Sequence, residues 1–403
     1  MKKLRVLVLS HMYPNAGDPT AGIFIHHQVR HLMGAGCEVV VVSPQPYVPK
    51  ILAGRYRRYA EILKENMLDG IRVIYPRYVR PPGGMFHAPS CYSMFYSIRR
   101  LISGLVQDFQ PHILHAHTAS PDGYVGLLLR KEFSLPLVVS LRGSDVNVYP
   151  YRDRWTFYLT QKVISEADRL TAVSGALKAA AEEIAKPRSD IAVVYTGCDL
   201  DRFSFHEALR KEFRHRLGIP PESPMLIFIG HILQAKGIFE LFDAFLIARQ
   251  GHPDLHLVMI GSGDDLPVIK RKAEQVLGYM HFLGTRPHDE IPGWLSAADI
   301  LVLPSWREGL PNVVVEAMAC ERSVVATRVG GIPEAVVNGE CGILVEKQNV
   351  QELADAIIHL LDNDKDRERM GLRGREVVEE RFSWEKNAVE TLHVYREVLN
   401  GRH

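Results

Sequence analysis

The sequence predicts an α/β chain of two domains, each built on a mostly parallel sheet with helices packed against it. Three observations lead there. A chain of 403 residues exceeds what one hydrophobic core usually serves, and suggests two domains of about 200 residues each. Short apolar runs recur, each followed by a turn-rich loop and an amphipathic helix, the pattern of parallel strands buried on both faces. The same pattern then starts afresh after Phe205.

Leu4–Leu9 reads as the first buried strand. The loop after it, SHMYPNAGDPTAGIF, is rich in turn residues, and Gly22 leads into an amphipathic helix over residues 23–33. Residues 39–42 form the second parallel strand of a βαβ opening. Gly17 and Gly22 do not match the dinucleotide fingerprint, so bound NAD is not expected. From Pro44 to Tyr96 the periodicity weakens. KILAGRYRRYAEIL sets Lys50, Arg55, Arg57 and Arg58 beside Ile51, Leu52, Tyr56 and Tyr59. Such a segment can lie on an anionic membrane surface or against a lipid-linked acceptor; it can equally be a solvated basic helix face.

Ile113–His117 reads as a strand ending at a polar tip, with His115 and His117 on one side of it. No third ligand sits nearby, so no metal is expected. His117 is read as substrate-contacting or structurally bonded. Leu137–Leu141 is the next strand and ends in RGSDVN. That places Asp145 at a carboxyl end, where crevice-facing carboxylates of open α/β sheets lie. Residues 170–175 make a strand and turn in which Ser174 suits a helix N-cap. Residues 192–195 lead into TGCDLDRF, and the domain boundary is placed near Phe205.

Met225–Ile229 opens the second domain, followed by GHILQAKGIFELFDAF, a loop and an amphipathic helix. Residues 257–260 and 281–284 are further strands. The most informative stretch is 300–344. It holds a buried strand, Ile300–Leu303, a loop with Glu308 and Gly309, and a helix starting at Asn312 with Glu316 in its first turn. A second buried strand over 323–326 and a tight Gly330-Gly331 turn complete it. The backbone amides of Leu310, Asn312 and Val313 lie at or just before the helix N-terminus, where free donors and the macrodipole favour an anion such as phosphate. Pro311 has no N–H to give. Glu308 and Glu316 do not suit an anion, but carboxylates accept hydrogen bonds from sugar hydroxyls. The plainer reading makes Glu316 a dipole-complementing helix acid and Glu308 a solvated loop acid. Residues 349–380 read as amphipathic helices, with Leu353, Ala356, Ile357 and Leu360 on one face.

PSWREGLPNVVVEAMA, followed by VVAT and GGIPE, resembles the signature of glycosyltransferase family 4, retaining nucleotide-sugar-dependent enzymes of GT-B fold. The resemblance implies two Rossmann-like domains facing a cleft. Residues 1–205 would bind the acceptor and 206–382 the nucleotide sugar, with a C-terminal helix within 383–403 crossing back to the first domain. It implies that Glu308 touches the transferred sugar, that Glu316 binds the ribose, and that Lys236 offsets the donor diphosphate. Gly22, Gly309, Leu310, Asn312 and Val313 would complete the donor contacts. Two positions depart from the family pattern. His231 stands where an arginine is usual, and histidine is mostly neutral and cannot fork onto phosphate. Arg142 stands where histidine is common, and a guanidinium is a poor general base.

The implied reaction is transfer of a hexosyl unit from a nucleotide-diphosphate sugar to the hydroxyl of a saccharide or lipid-linked acceptor. Configuration would be retained by same-face attack, with the leaving phosphate taking the acceptor's proton; Asp145 is the remaining side-chain candidate for a base or orienting carboxylate. Neither metal nor other cofactor is expected, and envelope polysaccharide or glycolipid is the family-level expectation for the product. Two rival readings are a nucleotide-sugar 2-epimerase on the same fold and a non-catalytic sugar-binding protein.

Composition narrows the classes further. A net charge of +1 with 46% hydrophobic residues signals neither nucleic-acid binding nor disorder. Cys37, Cys91, Cys198, Cys320 and Cys341 show no metal-ligand or disulfide spacing, which suits a reducing compartment. The apolar run of MKKLRVLVLS is too short for a signal peptide, and no apolar run is long enough to span a bilayer. The expected location is cytoplasmic, peripheral at the inner face of the cell membrane if the basic 50–59 segment touches lipid.

Overall fold

The computed structural model describes residues 3–48, 61–80 and 87–401. The chain divides into two compact units. The first is Met1–Gly197 with Trp384–His403, and the second is Cys198–Ser383. The division falls ahead of Phe205 because the glycine-aspartate turn is tied to the second unit. Cys198 donates its N–H to the Phe382 carbonyl, and Arg375 Nη1 donates to the Phe203 carbonyl at 2.7 Å.

The first unit's main sheet runs β10-β9-β8-β7-β1-β2-β5-β4. Its strands are β1 (Leu4–Leu9), β2 (Cys37–Val42), β4 (Glu65–Leu68), β5 (Ile71–Ile74), β7 (Ile113–His117), β8 (Leu137–Leu141), β9 (Arg169–Ala172) and β10 (Ala192–Val193). Two-residue strands β3 (Gln45–Pro46) and β6 (Arg77–Tyr78) pair separately. All pairs in the main sheet are parallel except β4 with β5. That hairpin turns on Asp69-Gly70, both at positive φ, which is the backbone a tight two-residue hairpin requires. It falls where apolar periodicity is weakest, because its strands are short and its exposed residues mix Glu65 and Arg72 with an apolar Met67.

The order reverses at β1 and β7, so the loops leaving their carboxyl ends splay apart and form a crevice. Val6, Val8, Ile25 and Val29 make the core on one face of the sheet. The last helix, Trp384–Asn400, adds Ala388, Val394, Tyr395 and Val398 to that same core.

The second unit carries a six-stranded sheet in the order β13-β12-β11-β14-β15-β16, every pair parallel. Its strands are β11 (Met225–Ile229), β12 (His256–Ile260), β13 (Met280–Gly284), β14 (Ile300–Leu303), β15 (Ser323–Thr327) and β16 (Ile343–Val345). The order reverses between β11 and β14. Behind those strands, buried Asp299 accepts from Arg210 Nη2 at 2.7 Å, Arg214 Nη2 at 2.9 Å and the Met225 amide at 2.7 Å. This joins the helix Glu207–Leu217 to the amino ends of both central strands. Leu353, Ala356, Ile357 and Leu360 are buried on the helix Val350–Asp362. Among the described residues no helix is long and apolar enough to cross a membrane.

Candidate active site

In the second unit the switch point gathers most of the residues singled out from sequence. β11 feeds the short turn Gln234–Lys236 and then the helix Ile238–Gly251. β14 feeds the loop holding Glu308 and then the helix Asn312–Ala319. The two loops are stitched together, since the Trp306 amide donates to the Ala235 carbonyl at 2.9 Å and Trp306 Nε1 to Glu240 at 3.0 Å. Lys236 Nζ consequently reaches Glu308 Oε1 at 2.6 Å. Glu308 is only 10% exposed at its side chain, too enclosed for a solvated loop acid.

The Gly330-Gly331 turn fixes the other side of Glu308. Gly330 has φ +54, and a side-chain carbon there would overlap the Glu308 carbonyl; only glycine combines that backbone with that approach. Gly331 then donates its amide to the Gly309 carbonyl. The helix after Leu310 begins behind Pro311 with no side-chain cap, so Asn312 does not serve as the capping side chain. Val314 donates to the Pro311 carbonyl at 3.1 Å, and the amides of Asn312 and Val313 precede it as first-turn donors with no backbone partner among the described residues. Glu316 Oε1 meets His288 Nε2 at 3.1 Å. His288 stands on the turn His288–Glu290 with its ring 5.4 Å from that of Phe203. Nothing in the sequence around His288 marks it. His231 is exposed, and among the described residues its side chain has no partner.

The first unit gathers a second group. Gly22 has φ +59, and a side-chain carbon there would overlap the Met12 carbonyl. Its small size therefore closes the loop onto itself and starts the helix Ile23–Gly34. His115 is fully engaged, with Nδ1 on the Tyr395 hydroxyl at 2.6 Å and Nε2 on Ser140 at 2.8 Å. His117 Nδ1 accepts from Arg142 Nη2 at 2.7 Å, and the same Nη2 donates to Gln28 Oε1 at 2.8 Å. Burial first, then the neighbouring His115 and the charge of Arg142, push His117 well below the ordinary histidine range. Of the two readings, His117 is thus structurally bonded and neutral. Burial lowers Arg142 to about 10, so it remains a cation. It lies over the Phe24 ring, 5.2 Å from the centroid.

Asp145 corrects an expectation. It is 1% exposed, and both of its oxygens are taken by backbone. Oδ1 accepts the amides of Arg142 at 3.0 Å and Gly143 at 2.8 Å, and Oδ2 that of Ala119 at 2.7 Å. It ties the loop after β8 to the loop after β7 instead of facing a crevice, and a carboxylate so saturated is poorly placed as a base. Arg55, Arg57 and Arg58 lie outside the described residues.

A further pair was invisible from sequence. At the carboxyl end of β1, His11 Nδ1 lies 2.8 Å from Oδ2 of Asp122, whose Oδ1 accepts the His11 amide at 3.0 Å.

Comparison with known proteins follows this division. Residues 21–202 match the family described as Glycosyltransferase Family 4, and residues 210–377 match Glycosyl transferases group 1. The glycosyltransferase TuaC of Bacillus subtilis (strain 168), named for teichuronic acid biosynthesis, is 30% identical over 403 residues, covering 98% of this chain and 99% of the relative. N-acetyl-alpha-D-glucosaminyl L-malate synthase of Bacillus anthracis is 32% identical over 295 residues, 71% of this chain and 75% of that one. Among solved structures, sucrose-phosphate synthase from Thermosynechococcus elongatus superposes with TM-score 0.80 at 20% identity over 99% of this chain and 100% of its own. HepE from Anabaena, solved in complex with UDP-glucose, gives 0.73 at 18% identity, covering 99% of each. These structures share the GT-B fold. With the full-length similarity and the two family matches, they establish that the chain belongs to the group 1, family 4 glycosyltransferases.

Proposed function

We propose that the protein transfers a hexosyl unit from a nucleotide-diphosphate sugar to an acceptor hydroxyl, with the anomeric configuration retained, in envelope polysaccharide or glycolipid biosynthesis. The observation that carries the reading is the direct Lys236–Glu308 contact at the second unit's switch point, beside the uncapped turn at Asn312. As the glycosidic bond breaks, negative charge grows on the diphosphate. Lys236, the amides of Leu310, Asn312 and Val313, and the helix dipole are oriented in advance to receive it. Glu308 then takes hydroxyls of the sugar ring, and Glu316, steadied by His288, takes the ribose. Gly22 is assigned to the donor on the family resemblance. The relative named for teichuronic acid biosynthesis and the neighbour solved with UDP-glucose support a nucleotide-sugar donor and an envelope product. No step in this scheme is assigned to a metal.

A thermal-shift screen of UDP-, GDP- and ADP-hexoses tests the donor assignment. A ligand bound only by the native state raises the midpoint, so one nucleotide series should do so. A protein stabilised by none of them, or by free sugars alone, contradicts the reading. Chromatography of the donor incubated alone separates transfer from epimerisation. Contact of the basic 50–59 segment with membrane is part of the proposal, and co-sedimentation with anionic vesicles tests it.

A further inference from the structure

Among the described residues, every strongly exposed tyrosine or tryptophan except Tyr47 lies on, or just before, one of two helices of the first unit. Tyr92 and Tyr96 stand on the helix His87–Asp108, and Trp155 and Tyr158 on the helix Arg154–Glu166. Tyr151 stands on the turn Pro150–Arg152 that leads into the second. Tyr96 is 64% exposed and Trp155 57%. The core of each helix lies on its other side. Cys91, Met94, Ile98 and Ile102 are buried on the first, at helical spacing, and Leu159, Val163 and Ile164 on the second. A helix face turned away from its core is ordinarily polar, so a cluster of aromatics there marks a contact surface.

The two helices present one surface. Both pack against the helix Tyr124–Phe133. Tyr92 joins its hydroxyl to that of Tyr124 at 2.8 Å with the rings edge to face, and Tyr158 from the other helix senses the same Tyr124 hydroxyl. Each helix precedes a parallel strand, β7 or β9, and so runs from the carboxyl ends of the sheet back to its amino ends. The aromatics occupy the leading halves of both helices, toward the rim where the loops after β1, β7 and β8 emerge. Once local pairs are set aside, the charge left at this surface has one sign. Asp153 is committed to the helix start, where it accepts the Trp155 and Thr156 amides at 2.9 Å. Glu132 is taken by Arg99 at 2.6 Å, and Glu166 by Lys162 at 3.0 Å and Lys131 at 3.2 Å. Arg100, Arg152 and Arg154 are exposed and have no ion-pair partner among the described residues. Arg152 lies over the Tyr149 ring and Arg154 over that of Trp155, 4.5 and 5.2 Å from the centroids.

We propose that this face docks the first unit on an anionic lipid bilayer. Tyrosine and tryptophan rings carry an apolar body and a polar tip and settle at the headgroup level of a membrane, and unpaired arginines beside them are drawn to anionic headgroups. Rings alone would suit a neutral saccharide equally; the arginines among them select an anionic interface. The combination is that of an interfacial helix, with apolar rings and basic heads on one face, and it is separate from the 50–59 segment. Its use rests on the transfer reading above, in which the acceptor can be lipid-linked. The rim so docked is the one from which the loops after β1, β7 and β8 emerge, so such an acceptor is met without leaving the bilayer.

The test uses the full chain and vesicles of phosphatidylcholine with and without phosphatidylglycerol. Wild type should co-sediment with the anionic vesicles about tenfold more strongly or better, as three unpaired arginines at an anionic surface allow, and added salt should weaken the association. The Tyr96→Ser/Trp155→Ser variant should lose about tenfold or more of that binding, with its thermal midpoint unchanged. Arg100→Gln/Arg152→Gln/Arg154→Gln should bind both kinds of vesicle alike. Trp155 is the one strongly exposed tryptophan of four. Its emission, read as the difference from Trp155→Phe, should shift to the blue on anionic vesicles and be quenched by brominated acyl chains. No vesicle binding by the wild type, undiminished binding by Tyr96→Ser/Trp155→Ser, or Trp155 emission untouched by brominated lipid would overturn the proposal. So would a loss confined to Arg55→Gln/Arg57→Gln/Arg58→Gln, which gives the membrane to the 50–59 segment, or binding of soluble polygalacturonate in place of vesicles, which makes the face a glycan surface. None of these readouts uses turnover. A chain that binds vesicles but no nucleotide sugar refutes the transfer reading and leaves the membrane face standing; the reverse result refutes the membrane face alone.

Discussion

Lys236 and Glu308 are bonded to each other, Nζ to Oε1 at 2.6 Å, although they come from loops after different strands. In the proposed complex each has a second task, the lysine toward diphosphate and the carboxylate toward sugar hydroxyls. Their contact means that neither acts alone. Glu308→Gln should lower turnover about 10²–10³-fold, the range found when one preorganised group is removed, while nucleoside diphosphate binding is largely retained. Lys236→Ala should weaken that binding at least tenfold. Because the residues touch, the double variant should depart from additivity by about 0.5–3 kcal/mol. Steady-state kinetics and calorimetry on the four proteins check this; strict additivity would mean the contact plays no part.

His231 stands in the same loop system, exposed and without a side-chain partner among the described residues. His231→Arg should tighten binding of the donor diphosphate, since a guanidinium is charged at pH 7 and can donate two parallel hydrogen bonds. Calorimetry against the wild type reads the change. Equal or weaker binding would place the diphosphate out of its reach.

Gly330→Ala should loosen the loop around Glu308. The added carbon would meet the Glu308 carbonyl, and φ is +54, so the turn must shift. A stability loss of more than about 1 kcal/mol is expected, together with reduced turnover. Denaturant unfolding and kinetics report the two effects separately.

Asp299 gives a pH prediction. Burial alone would raise its carboxyl, but Arg210, Arg214 and the Met225 amide outweigh that and hold it below the ordinary value. A folded-state value lowered in this way stabilises the protein above the unfolded carboxyl range. That contribution is lost as pH falls through the folded value, so the second unit should weaken on the acid side of pH 4. Asp299→Asn leaves Arg214 buried opposite a neutral group and should cost about 3–5 kcal/mol at neutral pH. Urea melts at pH 7 and pH 3 should show the variant's deficit shrinking in acid; a deficit independent of pH would contradict the assignment.

Much of this was legible along the chain, for a reason particular residues make plain. β11 and β14 are continuous apolar runs, and β1 and β8 are broken only by Arg5 and Ser140, because parallel strands are covered on both faces. Lys236 and Glu308 each follow such a strand within one loop, and it was the family resemblance of those loops that marked them out. What escaped notice depends on distance along the chain. His11 and Asp122 are 111 positions apart, and no local pattern joins them. His288 lies on a polar turn that resembles any other. Asp145 was placed correctly at a strand end, but which way its carboxylate turned was decided by three amides, one of them from the loop after β7. The β4–β5 hairpin was hidden by short, half-polar strands.

The central claim is that the second unit holds a nucleoside diphosphate at Lys236 and the helix start at Asn312. Titration calorimetry of UDP, GDP and ADP into the full chain, the wild type beside Lys236→Ala, tests it most directly. One nucleotide should bind with one-to-one stoichiometry, and the variant should bind it at least tenfold more weakly. Wild-type affinity in the variant, or no heat from any of the three, would contradict the claim.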